Sequence, residues 1–516
     1  MKYLGVAGLG LHDAGMCVVT DKGDIEYASL SERYTRVKHD DRIPPDMWKM
    51  SGWYDNPSDF QLVGNDDWNL RDYFRKGSIK NAMEGDPRAF GENEKLMHRK
   101  HPSTFPLHHG GLVTEHHASH AAAALMTRPK DWDREDCVCV VIDGIGEFRS
   151  AAIYNSNLEL VWEMTFPKSI GYLYAHFTDK CGLGLHSNND EYVVMGLSSY
   201  GTPTHWQEVY EMFLNIEEWD LANVKEKTSG ISKWQDIYQY KLHHLDSMVE
   251  YLQTHCATVE DQAASLQRMT TEVILDIMKQ ARKYGKKLCY SGGVAQNIVS
   301  NSKVAELFDD MWVDLNPGDG GASLGAAGFQ LFQDTGIDRL NWDHPFLGHN
   351  IEGTLDPERV VDYLMHRKVC GVANGRAEFS YRAYGNRSLI ADVRFDVKDT
   401  VNTIKQRQKF RPFAPAILEE HASDYFSGAM NQWMQYCATA KHEYSSVTHV
   451  DGTGRVQIVP KDCKSIFRQI IECYYQRTGV PMLLNTSLNI RGKPMVNTTD
   501  DAFAFEKEYG VKVFTS

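Results

Sequence analysis

The sequence has no long hydrophobic run, no Cys-x-x-Cys pair and no excess of positive charge. A helix that crosses a bilayer needs about 20 consecutive apolar residues, and no stretch approaches that length. The start of the chain, Met1 to Leu9, has a strand pattern and no basic segment followed by a cleavage site. We therefore expect a soluble, cytoplasmic protein.

The 10 cysteines are scattered, and the closest two are Cys137 and Cys139. In a chain of this size, that spacing indicates reduced thiols rather than a disulfide framework or a zinc cluster. Lys and Arg number 55 against 69 Asp and Glu, which gives a net charge of -14. This balance argues against tight, nonspecific binding to duplex nucleic acid, although it leaves room for a local basic groove. A chain of 516 residues is too long to fold around one ordinary hydrophobic core, so we expect two or more domains.

Two parts of the chain share one strand layout. In the first, Tyr3 to Leu9 is an apolar strand, a polar turn follows, and Met16 to Thr20 and Ile25 to Leu30 form a hairpin. In the second, the strand Cys137 to Ile142 leads into Asp143-Gly144, and two further strands follow over 149–154 and 158–164. The repetition predicts a duplicated domain whose two polar turns face one another across a cleft.

His116 and His120 are four residues apart in a sequence of good helix formers. On a helix, that spacing places both imidazoles on one face, where they could bind one metal ion. The alternative is a partly buried helix start with hydrogen-bonded histidines. Asp319 lies in a Gly-rich turn at 317–321, as expected of a metal ligand on a tight turn.

Helix and strand patterns surround a second glycine pair. Thr258 and Asp261 predict a helix start, and Gly285 is placed to end that helix. The buried strand at 288–290 then runs into Ser291-Gly292-Gly293-Val294, where backbone N–H groups could approach a phosphate.

Residues 335–356 are predicted to be a linker, and the charge balance changes after it. Many cationic side chains and few acids lie in the next stretch: Arg376, Arg382, Arg387, Arg394, Lys405, Arg407, Lys409 and Arg411. Such a set implies an anion to clamp, because Arg binds phosphate and carboxylate bidentately; the alternative is a set of surface ion pairs. The strand at 483–484 runs into Asn485-Thr486-Ser487, small hydrogen-bonding residues that could contact a substrate.

Residues 40–110 form an insertion between the two repeats. It is rich in aromatic residues, among them Trp48, Trp53 and Trp68, and has a basic run at 95–101. The first interpretation is a small satellite core, and the second is a lobe that stacks on and clamps an anionic acceptor.

These stretches together resemble the O-carbamoyltransferases of the NodU/CmcH family, over nearly the whole chain. The matching pieces are His12-Asp13; Ser31 to Arg36 with Lys38-His39; His116 to Ala121; Asp143-Gly144; Asp190-Glu191-Tyr192; Ser291 to Ala295 with Asn297; Gly318 to Gly321; Arg382-Ala383 with Gly385 to Ser388; Phe410 to Pro415; His449 to Asp451 with Arg455-Val456-Gln457; and Asn485-Thr486-Ser487.

The resemblance implies an α/β enzyme with two domains. Residues 1–340 would form a duplicated actin/sugar-kinase-like (ASKHA) carbamoyl-transfer domain, with the insertion at about 40–110. Residues 360–516 would form a YrdC-like domain that makes carbamoyl-adenylate from carbamoyl phosphate and ATP, the latter with Mg. The first domain would then pass the carbamoyl group to an acceptor hydroxyl.

The resemblance also assigns residues to roles. Iron(II), or another divalent metal, would be held by His116, His120, Asp143 and Asp319, with Asp143 also catalytic. The nucleotide would be bound by Gly292, Gly293, Asn297 and Glu191. Carbamoyl phosphate and ATP would be clamped by Arg382, Arg387, Ser388, Lys405, Arg411, Arg455 and Asn485. His12 is the candidate general base for the acceptor hydroxyl.

The acceptor is open between a sugar or natural-product hydroxyl and a hydroxymethyl pyrimidine, the latter in a nucleotide or in modified DNA. Two other functions compete with carbamoyl transfer to such a hydroxyl. One is noncatalytic nucleotide binding within the same superfamily, and the other is tRNA threonylcarbamoylation. The oligomeric state does not follow from this sequence.

Overall fold

The computed structural model describes residues 1–8, 12–66, 104–106, 112–146, 149–183, 190–218 and 234–515. The chain divides into two compact units. Unit 1 combines Met1–Gln61 with Leu340–Ser516, and unit 2 is Leu62–Arg339. The predicted domains, 1–340 and 360–516, stay a prediction. Across the described ranges, no helix has both the length and the apolar character that a membrane span requires.

The first 61 residues contain the predicted strand–turn–hairpin unit. The strands are β1 (Lys2–Ala7), β2 (Gly15–Thr20) and β3 (Ile25–Leu30), and neighbouring strands pair antiparallel. Their apolar side chains are buried, which is why the pattern could be read from the sequence. Two short helices follow, Glu32–Thr35 and Pro45–Met50. In the insertion, Trp48 and Trp53 pack edge to face at 5.9 Å, whereas Trp68 and the basic run lie outside the described residues.

Unit 2 is built around a five-stranded mixed sheet. The strands that follow β3 in the chain are β4 (Phe60–Asp66), β5 (Thr104–Pro106), β6 (Leu112–Glu115), β7 (Cys137–Gly146), β8 (Arg149–Tyr154), β9 (Leu160–Thr165), β10 (Lys287–Ser291) and β11 (Asp310–Val313). The five-stranded sheet has the order β11-β10-β7-β8-β9. Its strand β10 runs parallel to β7 and β11, while β7, β8 and β9 are antiparallel like β1 to β3. The predicted second copy of the strand layout is therefore present.

The helices of unit 2 are His116–Met126, Ile170–Lys180, Glu191–Leu197, Trp206–Leu214, Trp234–His255, Val259–Ala281, Ile298–Val304 and Ala322–Thr335. The predicted start at Thr258 is confirmed, because its hydroxyl accepts a hydrogen bond from the Asp261 N–H at 3.1 Å. That helix ends at Ala281, four residues before Gly285.

The C-terminal part of unit 1 is a second α/β assembly. Its strands are β12 (Phe346–Ile351), β13 (Val369–Ala373), β14 (Gly375–Glu378), β15 (Arg387–Ala391), β16 (Ala414–Leu418), β17 (Phe426–Ser427), β18 (Ala438–Ala440), β19 (Thr453–Gly454), β20 (Gln457–Val459), β21 (Met482–Ser487) and β22 (Val513–Thr515). Its helices are Pro357–Arg367, Lys398–Ile404, Ala422–Tyr425, Phe467–Thr478 and Thr499–Tyr509.

A six-stranded sheet in the order β20-β16-β21-β15-β13-β22 forms the centre of this part. Leu483 and Ile390 belong to the apolar core on one face, and Leu484 and Leu389 belong to the core on the other. The segment 335–356, which we predicted to be a linker, contains strand β12 paired with β14, so that prediction was wrong for its second half. The segment is polar and rich in glycine, so its composition did not indicate a strand. The buried apolar residues of β12 are Phe346, Leu347 and Ile351.

Candidate metal centre and anion-binding cluster

The helix His116–Met126 begins where strand β6 ends, and it carries the two predicted histidine ligands. Both imidazoles are buried, with 3% of His116 and none of His120 exposed. Their Nε2 atoms lie 3.2 Å apart. Two unprotonated nitrogens at that distance direct lone pairs at the same space, which favours a shared proton or a cation between them.

Asp143 and Asp319 complete the group that the sequence predicted. Asp143 Oδ2 lies 3.5 Å from His116 Nε2 and 3.4 Å from His120 Nε2. Asp319 Oδ1 lies 3.7 and 3.6 Å from the same two nitrogens. One donor atom from each of the four residues lies within 4.8 Å of all the others. Residues that are far apart in the sequence therefore converge on one point inside unit 2.

The donor set fits a divalent transition metal. Bonds of roughly 2.1 Å to one ion place neighbouring ligands about 3.0 to 3.4 Å apart, close to the separations found here. Two imidazoles and two carboxylates suit Fe, Mn or Zn better than they suit Ca or Mg. His116, His120, Asp143 and Asp319 would hold the ion, which would act as a Lewis acid towards a carbonyl oxygen. Its identity as iron stays a prediction.

Two residues to which the sequence analysis gave no role at the metal centre, Ser291 and Asp314, support His120. Ser291 Oγ lies 3.3 Å from His120 Nδ1, and the same hydroxyl donates to Asp314 Oδ2 at 3.4 Å. Burial raises the pKa of Asp314. A hydrogen-bonded group behind a ligating histidine fixes the ring orientation. The signal was available, because Ser291 ends β10 and Asp314 follows its parallel neighbour β11, and such strand ends meet at one sheet edge.

Close helix packing holds the histidine helix beside the Asp319 turn. The turn leads into the helix Ala322–Thr335, whose Gly325 meets the backbone of Ser119. A Cβ at position 325 would lie 1.7 Å from the Ser119 carbonyl oxygen, so only glycine permits this approach. The ligands on the two elements are thus positioned by backbone contact.

Gly146 offers a test of this geometry that leaves all four ligands in place. A Cβ at position 146 would lie 2.5 Å from His116 Cδ2 and 2.6 Å from His117 Nδ1. We expect Gly146→Ala to displace His116 and to weaken metal binding by roughly 10-fold or more, as disturbances around ligands do. Metal content after dialysis against graded chelator measures this. The control is Gly182→Ala, which meets no atom within 4 Å but strains a backbone φ of +64°, and so reports the effect of local strain away from the ligands. Affinity equal to wild type in Gly146→Ala would contradict the geometry.

The residues predicted to bind nucleotide all lie in unit 2. They differ in whether their polar groups are already hydrogen-bonded within the fold. A Cβ at Gly293 would lie 3.0 Å from Asp143 Oδ1, so the glycine turn adjoins the candidate metal centre. Gly292 has a φ of +92°, a conformation that favours glycine. Asn297 caps the helix Ile298–Val304, and its amide exchanges two hydrogen bonds of 3.1 Å with Gln267. Its side chain is therefore occupied within the fold. Glu191 is the first residue of its helix.

In unit 1, three of the predicted clamp arginines lie close enough to affect one another. Burial, together with the charges of Arg382 and Arg411, lowers the pKa of Arg455 to about 9. Burial also lowers the pKa of Arg382, whose guanidinium donates to the Met434 carbonyl. Like charges gathered away from water are destabilising unless an anion joins them. This cluster therefore fits a phosphate or carboxylate.

Lys405 lies beside this cluster and is buried. Its ammonium donates to the carbonyl and side-chain oxygens of Asn489 at 2.9 and 3.0 Å, and also to Ser487. Burial, together with Arg407 and Arg411, lowers the pKa of Lys405 well below its usual range. Lys405 thus orders the chain after β21. Ser388 Oγ and Asn485 Oδ1 are buried without a hydrogen-bond partner in the described part of the chain, and so have lone pairs to offer.

Arg387 differs from the other predicted clamp residues. Its side chain has no exposed surface, and its guanidinium donates to backbone carbonyls on every side. The accepting oxygens belong to His349, Asn374, Gly375, Asn386 and Asn497, at 2.9 to 3.1 Å. No donor is left to reach a substrate, so the geometry fits a structural role. Spacing in the sequence could not separate this arginine from those that border an open site.

His12, the predicted general base, lies in unit 1 at the turn between β1 and β2. Its Nδ1 is 2.9 Å from Asp13 Oδ2, and its side chain is 38% exposed. A second group of potential ligands, Asp13, Glu32 and His39, lies nearby. The contacts of this turn are described below.

Two family models of known proteins match this chain, one over each of the two centres. Residues 105–328 match the family model described as Carbamoyltransferase N-terminus, and residues 361–515 match Carbamoyltransferase C-terminus. Nodulation protein NolNO of Sinorhizobium fredii is 30% identical, with 95% of this chain and 76% of that protein covered. The chain belongs to the carbamoyltransferase family.

Other relatives of this carbamoyltransferase agree. Nodulation protein NolO of Bradyrhizobium diazoefficiens is 31% identical over 75% of each chain, and nodulation protein U of Azorhizobium caulinodans is 24% identical over 93% and 92%. The fold has a weak likeness to the activator of the 2-hydroxyisocaproyl-CoA dehydratase from Clostridium difficile with bound ADPNP. That likeness has a TM-score of 0.33 and 11% identity, over 66% of this chain and all of the other. The predicted family and the predicted enzyme class, a transferase, are confirmed.

Proposed function

We propose that this carbamoyltransferase makes carbamoyl-adenylate from carbamoyl phosphate and ATP, and then transfers the carbamoyl group to an acceptor hydroxyl. The observation that supports this most is the pairing of two chemically different centres in one chain. The part matched by the family's N-terminal model contains the imidazole–carboxylate group, and the part matched by the C-terminal model contains the arginine cluster. Each centre suits one half of the proposed reaction.

The arginine cluster suits the first half-reaction. Water first cleaves carbamoyl phosphate into carbamate and phosphate. The carbamate oxygen then attacks the α-phosphorus of ATP, and pyrophosphate leaves. Every reactant is an anion, so approach requires fixed positive charge. Arg382, Arg411 and Arg455 would supply bidentate donors to phosphoryl oxygens, with Mg neutralising further charge on ATP. Ser388 and Asn485 would contribute hydrogen-bonding oxygens from the neighbouring strands β15 and β21.

The imidazole–carboxylate centre suits the second half-reaction. A bound metal would supply Lewis acidity towards the carbamoyl carbonyl. The four ligands would orient that ion, and the glycine turn at 292–293, which adjoins Asp143, would present backbone N–H groups to the adenylate phosphate. His12 would accept the proton of the attacking hydroxyl, since a neutral imidazole titrates near physiological pH. The products are a carbamate ester and AMP.

The finer fold assignment belongs to the same proposal. The strand layout of β1–β3 returns in β7–β9, as a duplicated ASKHA domain requires. The six-stranded mixed sheet of the C-terminal part is compatible with a YrdC-like domain. The proposed acceptor classes remain a sugar or natural-product hydroxyl and a hydroxymethyl pyrimidine.

The decisive experiment needs no acceptor. The full chain, reconstituted with iron(II), is incubated with Mg, ATP and carbamoyl phosphate. We expect pyrophosphate release that depends on carbamoyl phosphate, and carbamoyl-adenylate detectable by mass spectrometry. Folded protein that retains iron yet releases no pyrophosphate would refute the proposal.

Replacing Arg455 by glutamine tests the arginine cluster. Arg455 is buried beside two other guanidinium groups that lower its pKa, so a bound anion would offset the repulsion among them. We expect Arg455→Gln to lower the rate of pyrophosphate release by about 100-fold or more, as loss of one charge-stabilising donor does. The matched control is Arg359→Gln, an exposed arginine on the helix Pro357–Arg367. Equal rates for the two variants would show that Arg455 is outside the adenylation site.

A further inference from the structure

The turn between β1 and β2 holds one carboxylate between two imidazoles. Asp13 Oδ1 is 2.7 Å from His39 Nδ1, and Asp13 Oδ2 is 2.9 Å from His12 Nδ1. Asp13 is 9% exposed at the side chain, His39 18% and His12 38%. His12 is therefore the member of the group that a ligand reaches most easily, and Asp13 lies behind it.

The backbone near this carboxylate has a positive φ at two residues that are not glycine. Asp13 and His39 both have a φ of +58°, an uncommon conformation for residues other than glycine. The Ala14 N–H donates to the Asp40 carbonyl at 2.8 Å, which ties the two turns together. Strained residues of this kind persist only where the surrounding structure holds them, and they cluster at functional sites.

Charge favours a proton-donating role for both imidazoles. Burial alone would raise the pKa of Asp13, but hydrogen bonds from His12 and His39 outweigh it, so the pKa lies well below its usual range. An ionised carboxylate accepts hydrogen bonds only, so each histidine must present Nδ1–H to it. His12 therefore carries a proton at Nδ1.

The same contacts argue against a second metal site at this turn. Glu32 accepts two hydrogen bonds from the Lys38 ammonium, at 2.7 and 3.0 Å, and one from the His39 backbone N–H at 3.1 Å. The Lys38 ammonium therefore already neutralises the Glu32 carboxylate. Asp13 is likewise occupied by the two imidazoles. The group is a network of hydrogen bonds that organises His12.

We propose that Asp13 is the positioning residue of carbamoyl transfer, holding His12 in the Nδ1–H tautomer so that Nε2 accepts a proton. The inference rests on the proposed function, in which His12 is the base. The O–H bond of the acceptor breaks and its proton moves to His12 Nε2. The acceptor oxygen forms a bond to the carbamoyl carbon, and the bond from that carbon to the phosphate oxygen breaks, releasing AMP. His39 fixes the second oxygen of Asp13 and so prevents the carboxylate from turning.

The variants follow from the backbone. Asp13→Gly removes the carboxylate and tolerates a φ of +58°, whereas alanine would be strained. His39→Gln retains a donor for Asp13, and His39→Leu removes it. The matched control is Asp55→Gly, an exposed aspartate in a turn of the same unit. Circular dichroism and thermal unfolding establish that each variant is folded.

Two readouts separate positioning from mere structural support. The first is the tautomer of His12, read from long-range ¹H–¹⁵N correlations of protein labelled at histidine and assigned with His12→Gln. The second is the rate of AMP release with water as the acceptor probe, divided by the carbamoyl-adenylate present. The first readout does not depend on catalysis, and pyrophosphate release by the wild type reports the proposed function separately.

We expect Nδ1–H at His12 in the wild type, in Asp55→Gly and in His39→Gln, and a mixture of tautomers in Asp13→Gly. AMP release should fall by roughly 10²- to 10⁴-fold in Asp13→Gly, the range seen when a base loses its orienting carboxylate. It should fall less in His39→Leu, and His39→Gln should restore it. An Nε2–H tautomer in the wild type, or AMP release by folded Asp13→Gly within threefold of the wild type, would overturn the inference while pyrophosphate release stands. Absence of pyrophosphate release by the wild type would refute the proposed function instead.

Discussion

Replacement of His120 by alanine should abolish metal binding and carbamoyl transfer together. His120 is fully buried, and its Nε2 lies within 3.6 Å of donor atoms from the three other candidate ligands. Loss of an outer partner of a ligand costs roughly 10- to 100-fold in affinity, so loss of the ligand itself should exceed about 100-fold. Metal content by mass spectrometry measures the first effect, and AMP release from carbamoyl-adenylate measures the second.

Asp319→Asn is the companion variant, since it keeps the shape of the side chain and removes its charge. We expect it to weaken metal binding and transfer as His120→Ala does, while pyrophosphate release continues. The matched control is His255→Ala, because His255 ends the helix Trp234–His255 and is exposed. If folded His120→Ala retained stoichiometric metal, the four residues would not form the metal centre.

The largest effect on stability should come from Arg387→Ala. The side chain is fully buried and satisfies five backbone carbonyl oxygens, three of them between residues 374 and 386. Each buried acceptor left without a partner costs about 1–3 kcal/mol, and the loss of one member of a buried charged network costs about 3–5 kcal/mol. We therefore expect the free energy of unfolding to fall by about 4 kcal/mol or more, measured by urea denaturation.

The control for Arg387→Ala is Arg359→Ala, which should change the free energy of unfolding by less than about 0.5 kcal/mol, as exposed substitutions do. Arg455→Gln is a second comparison, since it should lose pyrophosphate release with little loss of stability. The sequence alone grouped Arg387 with the clamp. A folded Arg387→Ala that keeps its stability and loses only pyrophosphate release would restore that assignment.

Much of the local structure was predictable because it depends on near neighbours. The strands β1, β2, β7 and β8 are largely apolar runs between polar turns, and such runs are buried in a sheet. The helix that starts after Thr258 has a cap residue and an apolar face that follow from spacing. The strand β12 was missed, since its few apolar residues stand in a polar context.

The candidate metal site was predictable only in combination. The i, i+4 spacing of His116 and His120 places their rings together on any helix. Asp143 and Asp319 entered through resemblance to a family, and their distance from the histidines depends on sheet order and on the helix contact at Gly325. The support from Ser291 and Asp314 depends on the same parallel strand ends.

The sequence by itself determined the strand layout and the His116–His120 pair, because these depend on residue type and short spacing. It determined the family and the transferase class through motifs shared with known proteins, and the same resemblance nominated Asp143 and Asp319 as ligands. Only the tertiary structure decided which polar groups are already satisfied. Hydrogen bonds within the fold already engage the side chains of Arg387, Lys405 and Asn297. Positive charge is instead concentrated where Arg382, Arg411 and Arg455 lie close together. The tertiary structure also placed Asp13 between two histidines that are 27 residues apart in the chain, counted from His12 to His39. Hydrogen-bond saturation and charge repulsion depend on distances in space, and the order of residues along the chain does not specify them.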